Sequence, residues 1–241
     1  MNKPIRLDIY LTTNFEIQSR NKASELIKNG KIKINDNIIT KPSFKVEQTD
    51  KIEILQEQFY VSRSAYKLKH FLEEIDITIK DKDALDIGSS TGGFTQILLE
   101  NSIKNVSCVD VGSNQLHDTI KNNSKISMYE NTDIRKFNPS KRFDIITCDV
   151  SFISILNIIE DINRLAKKDI IILYKPQYEV GTNVKRNSAG VVQDKKAIKK
   201  ARDIFISKIK SLNWEIIYSN DSKVAGKSGN IEELFYINKK D

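Results

Sequence analysis

The chain contains 241 residues, of which 39% are hydrophobic, and its 39 Lys and Arg residues outnumber its 32 Asp and Glu residues, for a net charge of +7. This composition excludes collagen-like, disordered and disulfide-stapled chains, and a chain of this length buries enough surface for one core plus a small appendage. The positive surplus favours a polyanionic partner.

The cysteines and the apolar runs argue against zinc-binding, membrane-spanning and secreted proteins. Cys108 and Cys148 stand singly inside apolar runs with no CxxC spacing, which is typical of reduced core thiols and argues against a zinc site. No apolar stretch approaches the roughly 18 residues of a membrane span, and the N-terminus lacks the apolar core of a signal peptide. We therefore expect a cytoplasmic protein with no membrane partner and no bound metal.

Residues 1–58 are predicted to form a small α+β domain. A helix begins after Ser19, which is a favourable N-cap, and ends at Gly30, with apolar residues at helical spacing between them. A turn at residues 35–37 and an apolar stretch at 46–55 predict a β hairpin that follows two helices. Lys and Arg outnumber acids in this region, a pattern that also fits a merely solvated helix face.

Residues 59–64 are predicted to be a linker, and residues 65–241 a second domain in which strands alternate with helices. The predicted strands cover residues 84–88, 106–111, 127–130, 143–150, 170–174, 214–218 and 233–237. The predicted helices begin at Gly93, near residue 153 and near residue 195. This alternation predicts an α/β fold with a mostly parallel seven-stranded sheet, whose ligands bind at the carboxyl ends of the strands.

The segment ALDIGSSTGGFT predicts a cofactor-binding turn. Asp86 and Gly88 end an apolar strand, Gly92 and Gly93 begin a helix, and Asp110 ends the next strand, where a carboxylate can accept both hydroxyls of a ribose. The run GSSTGG lacks the GxGxxG pattern of a pyrophosphate cradle. A cofactor with an adenosine and no phosphate therefore fits better than a dinucleotide, and we expect S-adenosylmethionine. The alternative is a tight strand-to-helix turn with unrelated aspartates.

Further residues near the same strand ends join this predicted cofactor site. Asp133 follows the third strand, where it would lie near the adenine. The complete set of predicted cofactor contacts is Asp86, Gly88, Ser89, Gly92, Gly93, Phe94, Asp110, Val111, Asp133 and Asp149.

Two charged residues end other strands of the predicted sheet. Asp149 and Lys175 each follow an apolar run, so both side chains should project over the edge that carries the cofactor turn. Burial or a second ammonium nearby lowers a lysine pKa toward the range in which the amine acts as a base. Lys67 and Glu232 could complete such a cluster, although each of the four charges taken alone is more typical of a structural ion.

A series of separated motifs carries a family resemblance. They are RLDIYL, QSRNKASELIKNGKIKIN, VSRSAYKL, DIGSSTGGFT, VDVGSNQL, CDVSFISI, KPQYEVG, AGVVQD and SGNIEE. With these motifs the chain resembles the TlyA (hemolysin A) family of rRNA ribose 2'-O-methyltransferases over almost its whole length. The resemblance implies an N-terminal RNA-binding domain like that of a small-subunit ribosomal protein, followed by a Rossmann-like methyltransferase domain similar to FtsJ-type enzymes.

The resemblance also implies a Lys-Asp-Lys-Glu tetrad, which maps here onto Lys67, Asp149, Lys175 and Glu232. In this tetrad Lys175 is expected to be the general base, acting as a neutral amine, while the other three residues position the ribose and tune the base. The implied reaction is S-adenosylmethionine-dependent 2'-O-methylation of a cytidine ribose in ribosomal RNA, with large-subunit RNA favoured. One departure, Ser64-Ala65 where family members often carry two glycines, affects the segment that joins the domains and not the tetrad.

The expected partner is ribosomal RNA or a ribosomal subunit. The N-terminal domain is expected to bind RNA through Arg6, Arg20, Lys22 and Lys28. A second basic stretch covers residues 167–202. Contacts of this kind to phosphates lose affinity steeply with salt and recognise the folded shape of RNA more than base edges.

Two other functions compete with this hypothesis: an RNA-binding ribosome factor without catalysis, and a membrane-lysing protein, as the hemolysin name suggests. The complete tetrad argues against the first, and the absence of an apolar span or amphipathic membrane helix from the sequence pattern argues against the second. Cys148 is a candidate nucleophile for carbon methylation, but its place in an apolar strand favours a core thiol. The string GKS at residues 226–228 is not a Walker motif, because Asp221 replaces the required first glycine.

Overall fold

The computed structural model describes residues 4–15, 17, 19–47, 49–55 and 60–240. Contacts within the chain define two compact units, Met1–Phe59 and Tyr60–Asp241. The second unit contains a helix that begins at Arg63, inside the stretch 59–64 that the sequence predicts as linker; the linker itself stays a prediction. Within the described ranges, no helix has both the length and the apolar character needed to cross a membrane.

The first unit packs two helices against short antiparallel strands. Its elements are β1 (Ile5–Arg6), α1 (Leu7–Asn14), α2 (Arg20–Lys28), β2 (Ile32–Ile34), β3 (Asn37–Ile38), β4 (Lys45–Val46) and β5 (Ile52–Ile54). The side chain of Ser19 accepts a hydrogen bond from the Lys22 amide, which confirms the predicted N-cap of α2. The predicted pairing with the stretch 46–55 is present as β2 with β5, and a further short strand that was not predicted, β3, begins at Asn37 in the predicted turn and pairs with the other edge of β2. Leu11 and Ile27 lie fully buried between these elements.

The second unit alternates strands and helices, as the sequence predicts. Its elements are α3 (Arg63–Leu72), β6 (Asp83–Ile87), α4 (Gly93–Glu100), β7 (Asn105–Val109), α5 (Asp118–Lys121), β8 (Ile126–Tyr129), β9 (Phe143–Cys148), α6 (Ile159–Leu165), β10 (Ala166–Tyr174), α7 (Pro176–Glu179), α8 (Lys195–Ser211), β11 (Trp214–Asp221) and β12 (Glu233–Lys239). Single 3-10 turns follow β8 and β9, at Ile134–Lys136 and Ile155–Asn157.

The strands of residues 60–240 form a seven-stranded sheet in the order β11-β12-β10-β9-β6-β7-β8. The five strands β10, β9, β6, β7 and β8 are parallel to one another, while β12 runs antiparallel to β10 and to β11. The predicted mostly parallel α/β fold is therefore confirmed. Because the parallel strands end in the same direction, the residues that follow Ile87, Val109, Cys148 and Tyr174 meet along one edge.

Burial on both faces of the sheet explains the unbroken apolar runs of the central strands. In β10, Ile170 and Ile172 pack into one core cluster, whereas Ile171 and Leu173 pack into the cluster on the opposite face. Successive side chains of a strand point to opposite faces, and burial of each stabilises the fold by roughly 1.5–3 kcal/mol. The polar residues at the strand ends are therefore held in fixed positions by the buried strands that precede them.

Candidate active site

A tight turn after β6 brings three strand ends together. Gly88 has a φ of +74°, and its amide donates to the carbonyl oxygen of Val109 at 2.9 Å. A Cβ at Gly88 would lie 2.8 Å from the carbonyl oxygen of Asp149, so the backbones of the two strand ends approach too closely for any other residue. Glycine at this position therefore sets the spacing between the β6 turn and the end of β9.

A cavity of about 430 Å³ opens beside this turn, and we name it the Asp110 cavity. Its walls combine carboxylates with apolar side chains, and they include Gly88, Ser90, Asp110, Val111, Gln115, Thr132, Asp133, Ile134, Asp149, Val150, Ser151, Phe152 and Ile158. Both oxygens of Asp110 accept backbone amides, from Gly112 and Ser90 at 2.8 Å each, which fixes the orientation of the carboxylate. Each oxygen keeps acceptor capacity for a hydroxyl of a ligand.

An ion pair between Asp133 and Arg135 contributes to the lining of the Asp110 cavity. Asp133 caps the turn that starts at Ile134 and accepts hydrogen bonds from the Arg135 guanidinium and amide. These bonds to Arg135 lower the pKa of Asp133 to about 2, so the carboxylate is ionised at neutral pH. Val111 is largely exposed on the same cavity and offers an apolar surface to a flat ring.

The four residues of the expected tetrad lie together as two ion pairs. Lys67 Nζ lies 2.5 Å from Glu232 Oε2, and Lys175 Nζ lies 2.6 Å from Asp149 Oδ1. All four side chains are at most 14% exposed. Burial raises the pKa of Asp149, while the charges of Lys175 and Lys67 oppose the rise. Buried charges of this kind persist only when each has a partner, and here each lysine has a carboxylate.

Two further cavities surround these ion pairs. The Ser62 cavity, of about 500 Å³, is lined by Ser62, Arg63, Ser64, Lys67, Gly88, Ser89, Ser90, Thr91, Phe94, Asp149, Ser151, Lys175, Ala225 and Lys227. The Gln177 cavity, of about 440 Å³, is lined by Lys67, Ser151, Phe152, Lys175, Gln177, Tyr178, Arg186, Gly190, Lys227, Ser228, Asn230 and Glu232. Ser151 lines all three cavities, so the Asp110 cavity adjoins the two cavities that Lys67 and Lys175 line.

Two neutral residues that the sequence analysis missed hold the tetrad in place. Ser151 Oγ accepts a hydrogen bond from Lys175 Nζ at 2.9 Å, and Gln177 Nε2 donates to Glu232 Oε1 at 2.9 Å. Each lies two positions beyond Asp149 or Lys175 in the chain. Their only signal in the sequence is this proximity, because neutral polar residues produce no charge pattern.

Asp86 is one of three predicted cofactor contacts that line none of the three cavities. Its side chain is fully buried and accepts hydrogen bonds from Thr95 Oγ1 at 2.6 Å and Thr147 Oγ1 at 2.8 Å. Burial raises the pKa of Asp86 to about 6. The carboxylate lies beneath the turn and lines none of the three cavities, so its role is to tie β6 to α4 and β9.

Gly92 and Gly93 also lie outside the lining of these three cavities, and their contact with a cofactor stays a prediction. A Cβ on Gly92 would overlap Ile120, and one on Gly93 would overlap Ser62 and Ser64. The two glycines therefore allow the start of α4 to pack closely against its neighbours. The other predicted contacts, Gly88, Ser89, Phe94, Asp110, Val111, Asp133 and Asp149, line the Asp110 or Ser62 cavity.

In the first unit, two of the four predicted RNA-binding residues share one buried partner. Arg6 and Arg20 each place a guanidinium nitrogen 2.9 Å from Asp8 Oδ2, and the Asp8 side chain is only 4% exposed. The hydrogen bonds of Arg6 lower the pKa of Asp8 to about 2. Lys22 forms an exposed ion pair with Glu25, and Lys28 is exposed at the end of α2.

The fold and these cavities define an α/β domain in which carboxylates and buried lysines meet at the ends of parallel strands. Residues 60–239 match the family model for FtsJ-like methyltransferases, and residues 5–52 match that of the S4 domain.

Proteins of similar sequence align with this chain over nearly its whole length. A Campylobacter jejuni protein named "23S rRNA (cytidine-2'-O)-methyltransferase TlyA" is 46% identical over 96% of this chain and 98% of its own length. "Hemolysin A" of Brachyspira hyodysenteriae is 34% identical over 97% and 99%. The solved structure of a "putative hemolysin" from Streptococcus thermophilus has a TM-score of 0.71 at 27% identity and covers 99% of this chain and 90% of its own. The chain belongs to the TlyA family of FtsJ-like methyltransferases, which confirms the resemblance seen in its motifs.

Proposed function

We propose that this protein transfers a methyl group from S-adenosylmethionine to the 2'-hydroxyl of a cytidine ribose in ribosomal RNA, with large-subunit RNA favoured. The observation that carries the proposal is the position of the Lys175–Asp149 pair at the border of the Asp110 cavity. A donor held in that cavity would present its reactive end to a buried amine. The relatives of this family support the reaction class, since one of them bears the name of an rRNA (cytidine-2'-O)-methyltransferase.

The Asp110 cavity has the chemistry that S-adenosylmethionine requires. Asp110 would accept the ribose hydroxyls, Val111 and Ile134 would contact the adenine, and Asp133 would lie near its polar edge. The volume of about 430 Å³ suits a ligand of nucleoside size. When bound, this cofactor supplies a methyl group already activated by a sulfonium, so the protein has to orient a hydroxyl and remove its proton.

The contacts of Lys175 fit the role of general base. To act as the base, the Lys175 ammonium that pairs with Asp149 first has to lose a proton; the neutral amine would then have two N–H donors and one lone pair, with Ser151 Oγ 2.9 Å and Asp149 Oδ1 2.6 Å from Nζ. The lone pair is then left for the hydroxyl proton of the ribose. Once the proton has moved, the ammonium that forms lies 2.6 Å from Asp149 Oδ1, and the carboxylate stabilises its charge.

The second ion pair would position the substrate. Glu232 is held by Lys67 on one oxygen and by Gln177 on the other, so its carboxylate cannot rotate. Lys67 keeps two further N–H donors that can reach oxygens of the ribose. Capture of the RNA is assigned to Arg6, Arg20, Lys22 and Lys28 of the first unit, together with the basic stretch 167–202.

The test is methyl transfer from labelled S-adenosylmethionine to isolated ribosomal subunits and to naked rRNA, followed by nucleoside analysis for 2'-O-methylcytidine. Lys175→Ala should lower the rate about 10²- to 10⁴-fold while the affinity for the cofactor stays near normal. Lys210→Ala, which removes an exposed lysine of α8, is the charge-matched control and should keep full activity. Transfer above about a tenth of the wild-type rate in Lys175→Ala would remove this residue from the base role.

A further inference from the structure

The loop between β11 and β12 passes directly over the tetrad. Gly226 lies so close to Glu232 that a Cβ there would be 2.6 Å from Oε1 of the carboxylate. The Gly226 amide donates to the carbonyl oxygen of Asn230 at 2.9 Å, and the Gly229 amide donates to that of Gly226 at 2.9 Å. The backbone on both sides of Lys227 is therefore fixed at the cavity mouth.

Two more contacts anchor this loop to its surroundings. The Arg63 guanidinium donates to the carbonyl oxygen of Ala225 at 2.9 Å. Asn230 is only 5% exposed, and its Oδ1 accepts the Val192 amide at 3.1 Å. The GKS string at residues 226–228, which the proposed reaction leaves without a role, thus lies in an ordered loop.

Lys227 differs from the other cations that line the Ser62 and Gln177 cavities, because each of the others has a hydrogen-bond or ion-pair partner. Lys67 and Lys175 are neutralised by carboxylates. Arg186 donates to three backbone carbonyl oxygens, and Arg63 donates to the one described above. Lys227 is exposed and forms no ion pair or side-chain hydrogen bond with any residue in the described part of the chain. Its ammonium is available to an anion.

We infer that Lys227 binds a backbone phosphate of the RNA next to the ribose that is methylated, and so positions the 2'-hydroxyl at Lys175. The inference rests on the proposed function. A ribose whose 2'-hydroxyl meets Lys175 carries its 3'-phosphate on the adjacent carbon, so a phosphate must lie within a few ångströms of the same amine. Lys227 lines both cavities that Lys175 lines, and an ammonium is a strong phosphate-binding group.

The anion that Lys227 binds could be a phosphate of the RNA or the carboxylate of the cofactor, and the lining of the Gln177 cavity favours the phosphate. The Gln177 cavity includes Lys227 and Lys175 but none of the residues 88–91 of the cofactor turn. It also includes Tyr178 and Arg186, which line neither of the other two cavities, and we assign it to the substrate.

The experiment compares Lys227→Gln, Lys227→Arg and Lys223→Gln in the full-length protein. Lys223 belongs to the same loop but pairs with Glu74 and lines none of the three cavities, so its substitution matches the change in charge without touching the site. RNA affinity and kcat/KM are measured over a series of salt concentrations, and the affinity for S-adenosylmethionine is measured by calorimetry.

Lys227→Gln should lower kcat/KM about tenfold at low salt and make the slope of log affinity against log salt less negative by about 1. Lys227→Arg should restore both values, and Lys223→Gln should match the wild type. Equal slopes for Lys227→Gln and Lys223→Gln would overturn the inference. So would weaker cofactor binding with an unchanged slope, because the anion would then be the cofactor carboxylate. Failure of the proposed function is a separate result: the wild-type protein binds RNA but transfers no methyl group.

Discussion

Substitution of Gly88 by alanine tests whether the turn after β6 sets the geometry of the site. The new Cβ would lie 2.8 Å from the carbonyl oxygen of Asp149, 3.1 Å from its carbonyl carbon and 3.2 Å from Cα of Val150. These are backbone atoms, so no side-chain rotation relieves the contact. The end of β9 has to move, and the Asp149 carboxylate moves with it.

The expected loss of stability has two parts. An L side chain at a φ of +74° costs about 1–2 kcal/mol, and the contact with the backbone of Asp149 adds about 1–3 kcal/mol. Gly181→Ala is a matched control, because Gly181 has a φ of +79° and its added Cβ would meet nothing within 4 Å. The control should therefore lose only the first part, about 1–2 kcal/mol, against about 2–5 kcal/mol for Gly88→Ala.

Denaturant titration gives the free energy of unfolding of each variant, and methyl transfer reports the site. Gly88→Ala should also lower the transfer rate at least about tenfold at a temperature where it remains folded, because Asp149 no longer lies in place beside Lys175. Equal losses of stability in the two variants would refute the argument, since the close approach to Asp149 would then have no energetic consequence.

Three further predictions concern buried groups. Burial raises the pKa of Asp86 to about 6 from 3.8, so ionisation opposes folding, and the free energy of unfolding should fall by roughly 2 kcal/mol between pH 4 and pH 7 relative to Asp86→Asn. Ionisation of Asp8 has the opposite effect and stabilises the fold, because its pKa is lowered to about 2. Asp8→Asn should therefore speed hydrogen exchange in the first unit at pH 7 and have no effect below pH 2. Cys148→Ser should remain active, because burial raises the pKa of this thiol and leaves it inert; loss of transfer by a folded variant would contradict this.

The sheet and the edge that carries the site could be predicted from the sequence. The apolar runs of β6, β7, β9 and β10 identify buried parallel strands, and such strands place the residues after their ends on one edge. Asp110, Asp149 and Lys175 follow directly from that rule. Lys67 and Glu232 could be assigned to the same site only through the family resemblance, because neither ends a parallel strand.

The depth and the pairing of side chains could not be predicted in this way. Asp86 is two positions before Gly88 of the turn, yet its carboxylate accepts hydrogen bonds from Thr95 and Thr147 and lies in the core. The sequence left open whether a like charge or a carboxylate dominates around Lys175, and the structure pairs it with Asp149. Such choices depend on contacts between elements that are distant in the chain.

A crystal structure of the protein with bound S-adenosylmethionine tests the central claim most directly. The account predicts the donor in the Asp110 cavity, with its methyl carbon about 6 Å or less from Lys175 Nζ, which leaves room for one ribose oxygen between them. A methyl group directed away from this amine, or no bound donor at saturating concentration, would contradict the account.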